Sequence, residues 1–283
     1  MQTIKKLFWI SRPVSWPNTA FPFAAGWLVS GGSLSVFFIV ATVFFLIPYN
    51  LLMYGINDVF DYESDVKNPR KGGIEGMREE RAFHPMILRV SLSISALFLV
   101  YLLLNGTLAS NLMLALVIFL VIAYSAPLLR FKERAGIDSL TSSMHFVGPL
   151  LYALTFFSFT MEAWIVVSSF LLWGMASHAL GAIQDINPDR EAGIGSIAVS
   201  LSARPTLYLV ALFYSASAGL LFLLDSPYNM VSFLLLLYVI NLYDIRAVTT
   251  QNSATANGPW RRFIWLNLFV GFCITILLLL ENL

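Results

Sequence analysis

Long apolar runs separated by short polar connections dominate this chain from end to end. Crossing the hydrocarbon core of a bilayer takes about 20 apolar residues. Nine runs approach or exceed that length, roughly 16–32, 35–60, 86–105, 108–126, 138–158, 162–185, 205–224, 228–245 and 261–281. They are continuous rather than alternating, so they predict helices that satisfy their own backbone hydrogen bonds, not barrel strands. The expected fold is all-α: a polytopic membrane protein with nine transmembrane helices, residues 1–283 forming a single integral-membrane domain. The longest polar stretch, Tyr62 to Pro85, is too short for a soluble domain.

Composition agrees: 58% of residues are hydrophobic and 12% charged, against roughly 25% charged in a soluble domain. The 17 Lys and Arg fall in the N-terminal segment (Lys5, Lys6, Arg12) and in alternate connections: Lys67 to Arg89, Arg130 to Arg134, Arg190 to Arg204, and Arg246 to Arg262. The intervening connections carry none. The positive-inside rule then places the N-terminus and those connections in the cytoplasm, and nine crossings place the C-terminus outside. The net charge of +1 gives no reason to expect a nucleic-acid partner; the expected surroundings are the lipid bilayer. A lone Cys273 excludes an intramolecular disulfide and a cysteine-cluster metal site. Met1 to Arg12 does not read as a cleavable signal.

Two acidic clusters interrupt this pattern. Asn57-Asp58-Val59-Phe60-Asp61-Tyr62-Glu63-Ser64-Asp65 ends the second run, and Asp185-Ile186-Asn187-Pro188-Asp189 ends the sixth. At a helical period Asp58, Asp61 and Asp65 lie at about 0°, 300° and 340°, on one face. Asp185 and Asp189 are an i,i+4 pair, and like charges at that spacing weaken a helix. Carboxylates this close to lipid are costly unless compensated, so the chain is read as holding divalent cations there. Mg²⁺ fits, since it takes oxygen ligands from one or two carboxylates and substrate phosphates. The five Asp are the expected metal ligands and act in catalysis through the metal, with Asn57 supplying a neutral oxygen. The plainer alternative is a set of helix-end charges solvated at the interface. Pro188 disfavours helix at Asn187, so the second motif is expected to unwind there. Each cluster is followed by a glycine-containing charged loop, which hints at a four-helix pseudo-repeat.

Cations near the acids would complete a diphosphate site. Lys67, Arg70 and Lys71 follow the first cluster, and Arg130, Lys132 and Arg134 follow the turn Tyr124-Ser125-Ala126-Pro127. Each also satisfies the topology rule, and Arg12 is a weaker candidate. Two histidines lie inside apolar runs. His178 precedes Asp185 by two helical turns on nearly the same face, and His145 lies in the fifth run. Either suits proton removal from a product cation, or hydrogen-bonded packing.

These motifs in this order, Asn-Asp-x-x-Asp-x-x-x-Asp, Tyr-Ser-x-Pro-x-x-Arg-x-Lys and Asp-x-x-x-Asp, resemble the UbiA superfamily of intramembrane prenyltransferases over the whole chain. Tyr54 to Asp65, Asn68 to Gly73, Arg130 to Arg134, Trp173 to Ser177 and Trp265 to Asn267 resemble the lycopene elongases of bacterial carotenoid pathways. The resemblance implies nine helices around a central cavity and Mg²⁺-dependent diphosphate binding, with Asn57, Tyr124, Arg130, Lys132, Lys67 and Arg70 around the diphosphate. It implies dimethylallyl diphosphate as donor and lycopene, or a similar hydrophobic acceptor. Arg70-Lys71-Gly72-Gly73-Ile74 departs from the Arg-Pro-Leu/Ile element of many members. The 23 Phe, 7 Trp and 11 Tyr are compatible with a carotene and with a shielded allylic cation. An aromatic or quinone-precursor acceptor is the first rival. A transporter is the second, although its acids would lie near mid-membrane rather than beside basic loops.

Overall fold

A computed structural model describes residues 2–67 and 79–282. Among these residues every regular element is helical. The α-helices are α1 (Gln2–Ile10), α2 (Trp16–Val29), α3 (Val36–Leu46), α4 (Pro48–Phe60), α5 (Tyr62–Lys67), α6 (His84–Leu104), α7 (Leu108–Ser125), α8 (Ile137–Leu154), α9 (Met161–Gln184), α10 (Ile186–Ala192), α11 (Ile197–Leu201), α12 (Ala203–Leu221), α13 (Val231–Ile240) and α14 (Asn257–Asn282). Each of the nine apolar runs thus contains helix. Among the described residues, six stretches are long and apolar enough to cross a membrane: Val36–Phe60, Arg81–Leu104, Leu108–Ser125, Met161–Gln184, Tyr228–Ile245 and Ser253–Glu281. The helix α1 was not expected from the apolar pattern. The run 35–60 is not one helix, because Pro48, which has no N–H to donate, separates α3 from α4 at Ile47.

The chain divides into two compact units, Met1–Phe131 with His145–Ser158, and Lys132–Met144 with Phe159–Leu283. Helix α8 contributes to both.

In the first unit the core is aromatic. Phe23 and Trp27 of α2, Phe44 and Phe45 of α3, Tyr49 of α4 and Tyr152 of α8 are buried together, with Phe23 and Phe45 ring centroids 5.3 Å apart. The carbonyls exposed by the Pro48 break are capped from the side. The Phe45 carbonyl accepts from Thr19 Oγ1 at 2.7 Å and Asn50 Nδ2 at 3.0 Å, and the Leu46 carbonyl accepts from Asn50 Nδ2 at 3.0 Å. Backbone groups at membrane depth require such internal partners. Close packing of α4 on α6 depends on Gly55, where an added Cβ would sit 2.9 Å from Ser91 Oγ.

In the second unit α9 packs on α12 through Ala176, Leu180, Leu207, Val210 and Tyr214. Ser169 and Ser217 exchange hydrogen bonds across this contact, each Oγ donating to the other's carbonyl at 2.8 Å. At Gly174 an added Cβ would lie 2.2 Å from Ser143 Oγ, so α9 meets the start of α8 almost backbone to side chain.

Candidate functional site: two acidic helix breaks

Within the first unit, α4 stops at Asp61, whose backbone (φ −100°, ψ 1°) leaves the helical region before α5 begins. The i→i−4 ladder nevertheless continues, with Asp61 N–H on the Asn57 carbonyl and Asp65 N–H on the Asp61 carbonyl, each at 2.9 Å. Asp58, Asp61 and Asp65 are all buried, at 6, 3 and 7% exposure. That agrees with their placement on one helical face.

Among the described residues, Arg12, Arg130 and Asn57 address these carboxylates. Arg12 Nη2 donates to Asp58 Oδ1 at 2.7 Å, and its guanidinium lies 4.1 Å from the Tyr54 ring centroid. Tyr54 in turn donates to Ser15 Oγ at 2.9 Å, tying the segment before α2 to α4. Burial is the largest single influence and works to lower the Arg12 pKa, but the charge and hydrogen bond of Asp58, with Tyr54 and Asp65, together outweigh it and hold the guanidinium above its ordinary value. Arg130 Nη2 stands 4.0 Å from Asp61 Oδ1. Both arginines have left-handed backbones, φ 49° at Arg12 and φ 40° at Arg130, a conformation that costs a branched-off side chain and needs surrounding structure to hold it. Asn57 Nδ2 donates to Asp61 Oδ2 at 2.6 Å and to Ser125 Oγ at 3.1 Å. The Tyr-Ser-x-Pro turn is thereby pinned to the first acidic cluster. Tyr124 meets the His145 ring edge-on at 5.1 Å. His145 is buried, with Nε2 3.4 Å from the Leu120 carbonyl and its own carbonyl accepting from Tyr49. Arg70 and Lys71, and the side chain of Lys67, lie outside what the structure describes.

The second unit repeats the local form. Helix α9 stops at Asp185 (φ −94°, ψ 0°), α10 follows, and Asp189 N–H bonds the Asp185 carbonyl at 2.9 Å. Here the expectation of unwinding at Asn187 is corrected. Asn187 and Pro188 are helical within α10, and the break precedes them at Asp185. Pro188 sits in the first turn of the new helix, where N–H groups have no intrahelical acceptor and the missing donor costs nothing. Asp185 and Asp189 are half-buried, more open than the first cluster. Two amide contacts unforeseen from sequence hold this break: Asn257 Nδ2 donates to Gln184 Oε1 at 2.7 Å, and Asn187 Nδ2 to the Thr250 carbonyl at 3.1 Å. His178 Nδ1 lies 3.0 Å from Ser139 Oγ. Beside it Asp138, fully buried, is a carboxylate that the motif reading passed over. Lys132 is in the 3₁₀ turn Phe131–Glu133, and Arg134 follows it.

Among the described residues no three His, Cys, Asp or Glu side chains gather into a ready metal cluster. The donor set still suits Mg²⁺, which needs one or two carboxylates and takes its other oxygens from water and phosphate. The buried carboxylates of Asp58, Asp61 and Asp65 supply the oxygen donors that such a hard cation takes.

The chain matches the model of the UbiA prenyltransferase family over residues 19–272. It is 47% identical over 99% of its length, and 98% of the relative's, to a lycopene elongase/hydratase of Corynebacterium glutamicum. It is 46% identical over 95% of its length to the C(50) beta-cyclic carotenoids biosynthesis protein LbtBC of Dietzia sp., of which the match covers 63%. In fold it is similar to a UbiA homolog from Archaeoglobus fulgidus bound to DMAPP and Mg²⁺, with TM-score 0.67 and 17% identity, covering 94% of this chain and 98% of that one.

Proposed function

The chain belongs to the UbiA prenyltransferase family, and from that premise we propose that it transfers the dimethylallyl group of dimethylallyl diphosphate to the ends of lycopene in long-chain carotenoid biosynthesis. It is a multi-pass membrane protein and a prenyltransferase. The observation that supports lycopene as acceptor is the likeness, over almost its whole length, to a lycopene elongase/hydratase.

In this reading Asp58, Asp61 and Asp65, and separately Asp185 and Asp189, are ligands of Mg²⁺. A bound Mg²⁺ supplies Lewis acidity, drawing charge from the diphosphate as its carbon–oxygen bond breaks. Arg130 and Lys132 contribute fixed positive charge to the departing diphosphate, with Tyr124, Lys67 and Arg70 in the same binding set. Asn57 orients Asp61 through its 2.6 Å hydrogen bond, and Arg12 holds Asp58 in place. The allylic cation released from the donor is attacked by a terminal double bond of lycopene. The tertiary cation that results loses a proton or takes up water. His178, steadied by Ser139, is the proposed proton acceptor, with His145 the second candidate.

The whole chain acts as one domain crossing the bilayer nine times, with the N-terminus and basic connections cytoplasmic. The functional test is expression in a lycopene-accumulating host, followed by mass spectrometry of the carotenoids. Products one and two five-carbon units heavier than lycopene support the reading. Lycopene left unchanged, with labelled donor entering an aromatic or quinone precursor instead, replaces lycopene with that acceptor.

A further inference from the structure

Asp138 lies in the first turn of α8, and both of its oxygens are spent on backbone donors. Oδ1 accepts from Ser139 N–H and Oδ2 from Ile197 N–H, each at 2.7 Å. Ile197 is the first residue of α11, 59 positions along the chain. A buried carboxylate is costly, and here two charge-assisted hydrogen bonds to backbone N–H groups compensate it. The same two segments meet a second time nearby. A Cβ added at Gly195 would stand 2.5 Å from the Glu133 carbonyl oxygen, so only a glycine allows the backbone to come so close.

The Gly195 contact meets the turn that carries Lys132 directly, and the Asp138 contact meets the start of α8 just after Arg134, whose carbonyl accepts Asp138 N–H at 2.9 Å; both lead to the segment that leaves the second acidic motif. Gly195 is six residues after Asp189, and Glu133 lies between the two cations. All of these residues belong to the second unit. We propose that Asp138 is a positioning residue for donor binding: with Gly195 it clasps the Lys132–Arg134 turn to the Asp189–Ile197 segment, fixing the spacing between the cations and the second acidic motif. A diphosphate is doubly demanding in this respect, because it must meet fixed positive charge and metal-held oxygens at once, and a small misplacement lowers binding steeply. This rests on the reading of Lys132 as a diphosphate ligand.

The test is steady-state kinetics of the full-length protein in lipid nanodiscs with dimethylallyl diphosphate and lycopene, on Asp138→Ala, Asp138→Asn, Gly195→Ala and Lys132→Met. Asp138→Ala and Gly195→Ala should each raise KM for the diphosphate about tenfold, with KM for lycopene unchanged and kcat altered less than KM. Asp138→Asn keeps an acceptor for Ile197 N–H and should recover most of the donor affinity. A donor KM unchanged in both Asp138→Ala and Gly195→Ala, while Lys132→Met raises it, overturns the clasp alone. Lys132→Met with an unchanged donor KM overturns the diphosphate role of Lys132, and the clasp with it. If Asp138→Ala does not fold, Gly195→Ala carries the same decision. Equal losses toward donor and acceptor, without rescue by Asn, would assign Asp138 to general stability and overturn the proposal.

Discussion

Asp61 and Asp185 occupy equivalent places in two separate helix breaks. Each ends a long helix with nearly the same backbone angles, and each carbonyl accepts the N–H of an aspartate four residues later at 2.9 Å. A break of this kind turns a carboxylate off the helix axis while keeping the next one in register. Like charges spaced i,i+4 weaken a helix by about 0.2–0.5 kcal/mol, and in both motifs the break falls at the first member of such a pair. The equivalence also predicts equal sensitivity. Asp61→Asn and Asp185→Asn should each lower turnover by at least about a hundredfold, beyond the 10–100-fold typical of losing an outer partner of a metal ligand. Membrane insertion and thermal unfolding should stay near wild type. Wild-type turnover in both variants would remove the carboxylates from the metal mechanism.

Arg12 and Asp58 form a largely buried pair, with side chains 15% and 4% exposed. Removing only the cation takes a charge-assisted hydrogen bond from the buried Asp58 carboxylate, and breaking a buried pair costs roughly 3–5 kcal/mol. Arg12→Ala should therefore destabilise the protein by about that amount, and Arg12→Ala/Asp58→Ala by clearly less than the sum of the single changes. A double-mutant cycle of unfolding in detergent measures the difference; additive losses would mean that the pair does not couple.

The account needs an odd number of crossings. Six stretches satisfy length and hydropathy outright, whereas α2, with 14 residues, spans about 21 Å, and α8 and α12 carry several Ser, Thr or charged side chains. A reporter fused at Leu283 should behave as extracytoplasmic and one inserted at Gly73 as cytoplasmic. A cytoplasmic C-terminus would require an even count and remove one, or all three, of these helices from the set of crossings.

His178 should influence how the product cation is resolved. Its Nδ1 contact with Ser139 fixes the ring, and His178→Phe removes the proposed proton acceptor while keeping bulk. The expected result is a changed ratio of hydrated to unsaturated product, or slower turnover, at an unchanged donor KM. Identical products at an identical rate would leave His178 as a packing residue.

Much of this was legible in the sequence because membrane helices announce themselves by length. The runs 162–185 and 108–126 match α9 and α7 closely, since lipid contact demands continuous apolar residues and nothing competes with that signal. The break at Pro48 inside the run 35–60 was not read from sequence, because its cost depends on whether side chains such as Asn50 and Thr19 can cap the carbonyls, and those partners are 5 and 26 residues from Phe45. The acidic clusters were legible because charge is rare here. Arg12 was underweighted, since a cation before a membrane helix satisfies the topology rule on its own, and its pairing with Asp58 spans 46 residues. Asp138 was missed for a similar reason: an acid in the first turn of a helix needs no other explanation. Its bond to Ile197 exists only in the folded chain.

The most direct measurement of the central claim is transfer of label from dimethylallyl diphosphate to lycopene by the purified protein in nanodiscs, with Mg²⁺ and then with EDTA. The account predicts labelled carotenoids heavier by one or two five-carbon units with Mg²⁺, almost none with EDTA, and recovery when Mg²⁺ is returned in excess. Full transfer in EDTA, or no label in carotenoid under any metal condition, would contradict it.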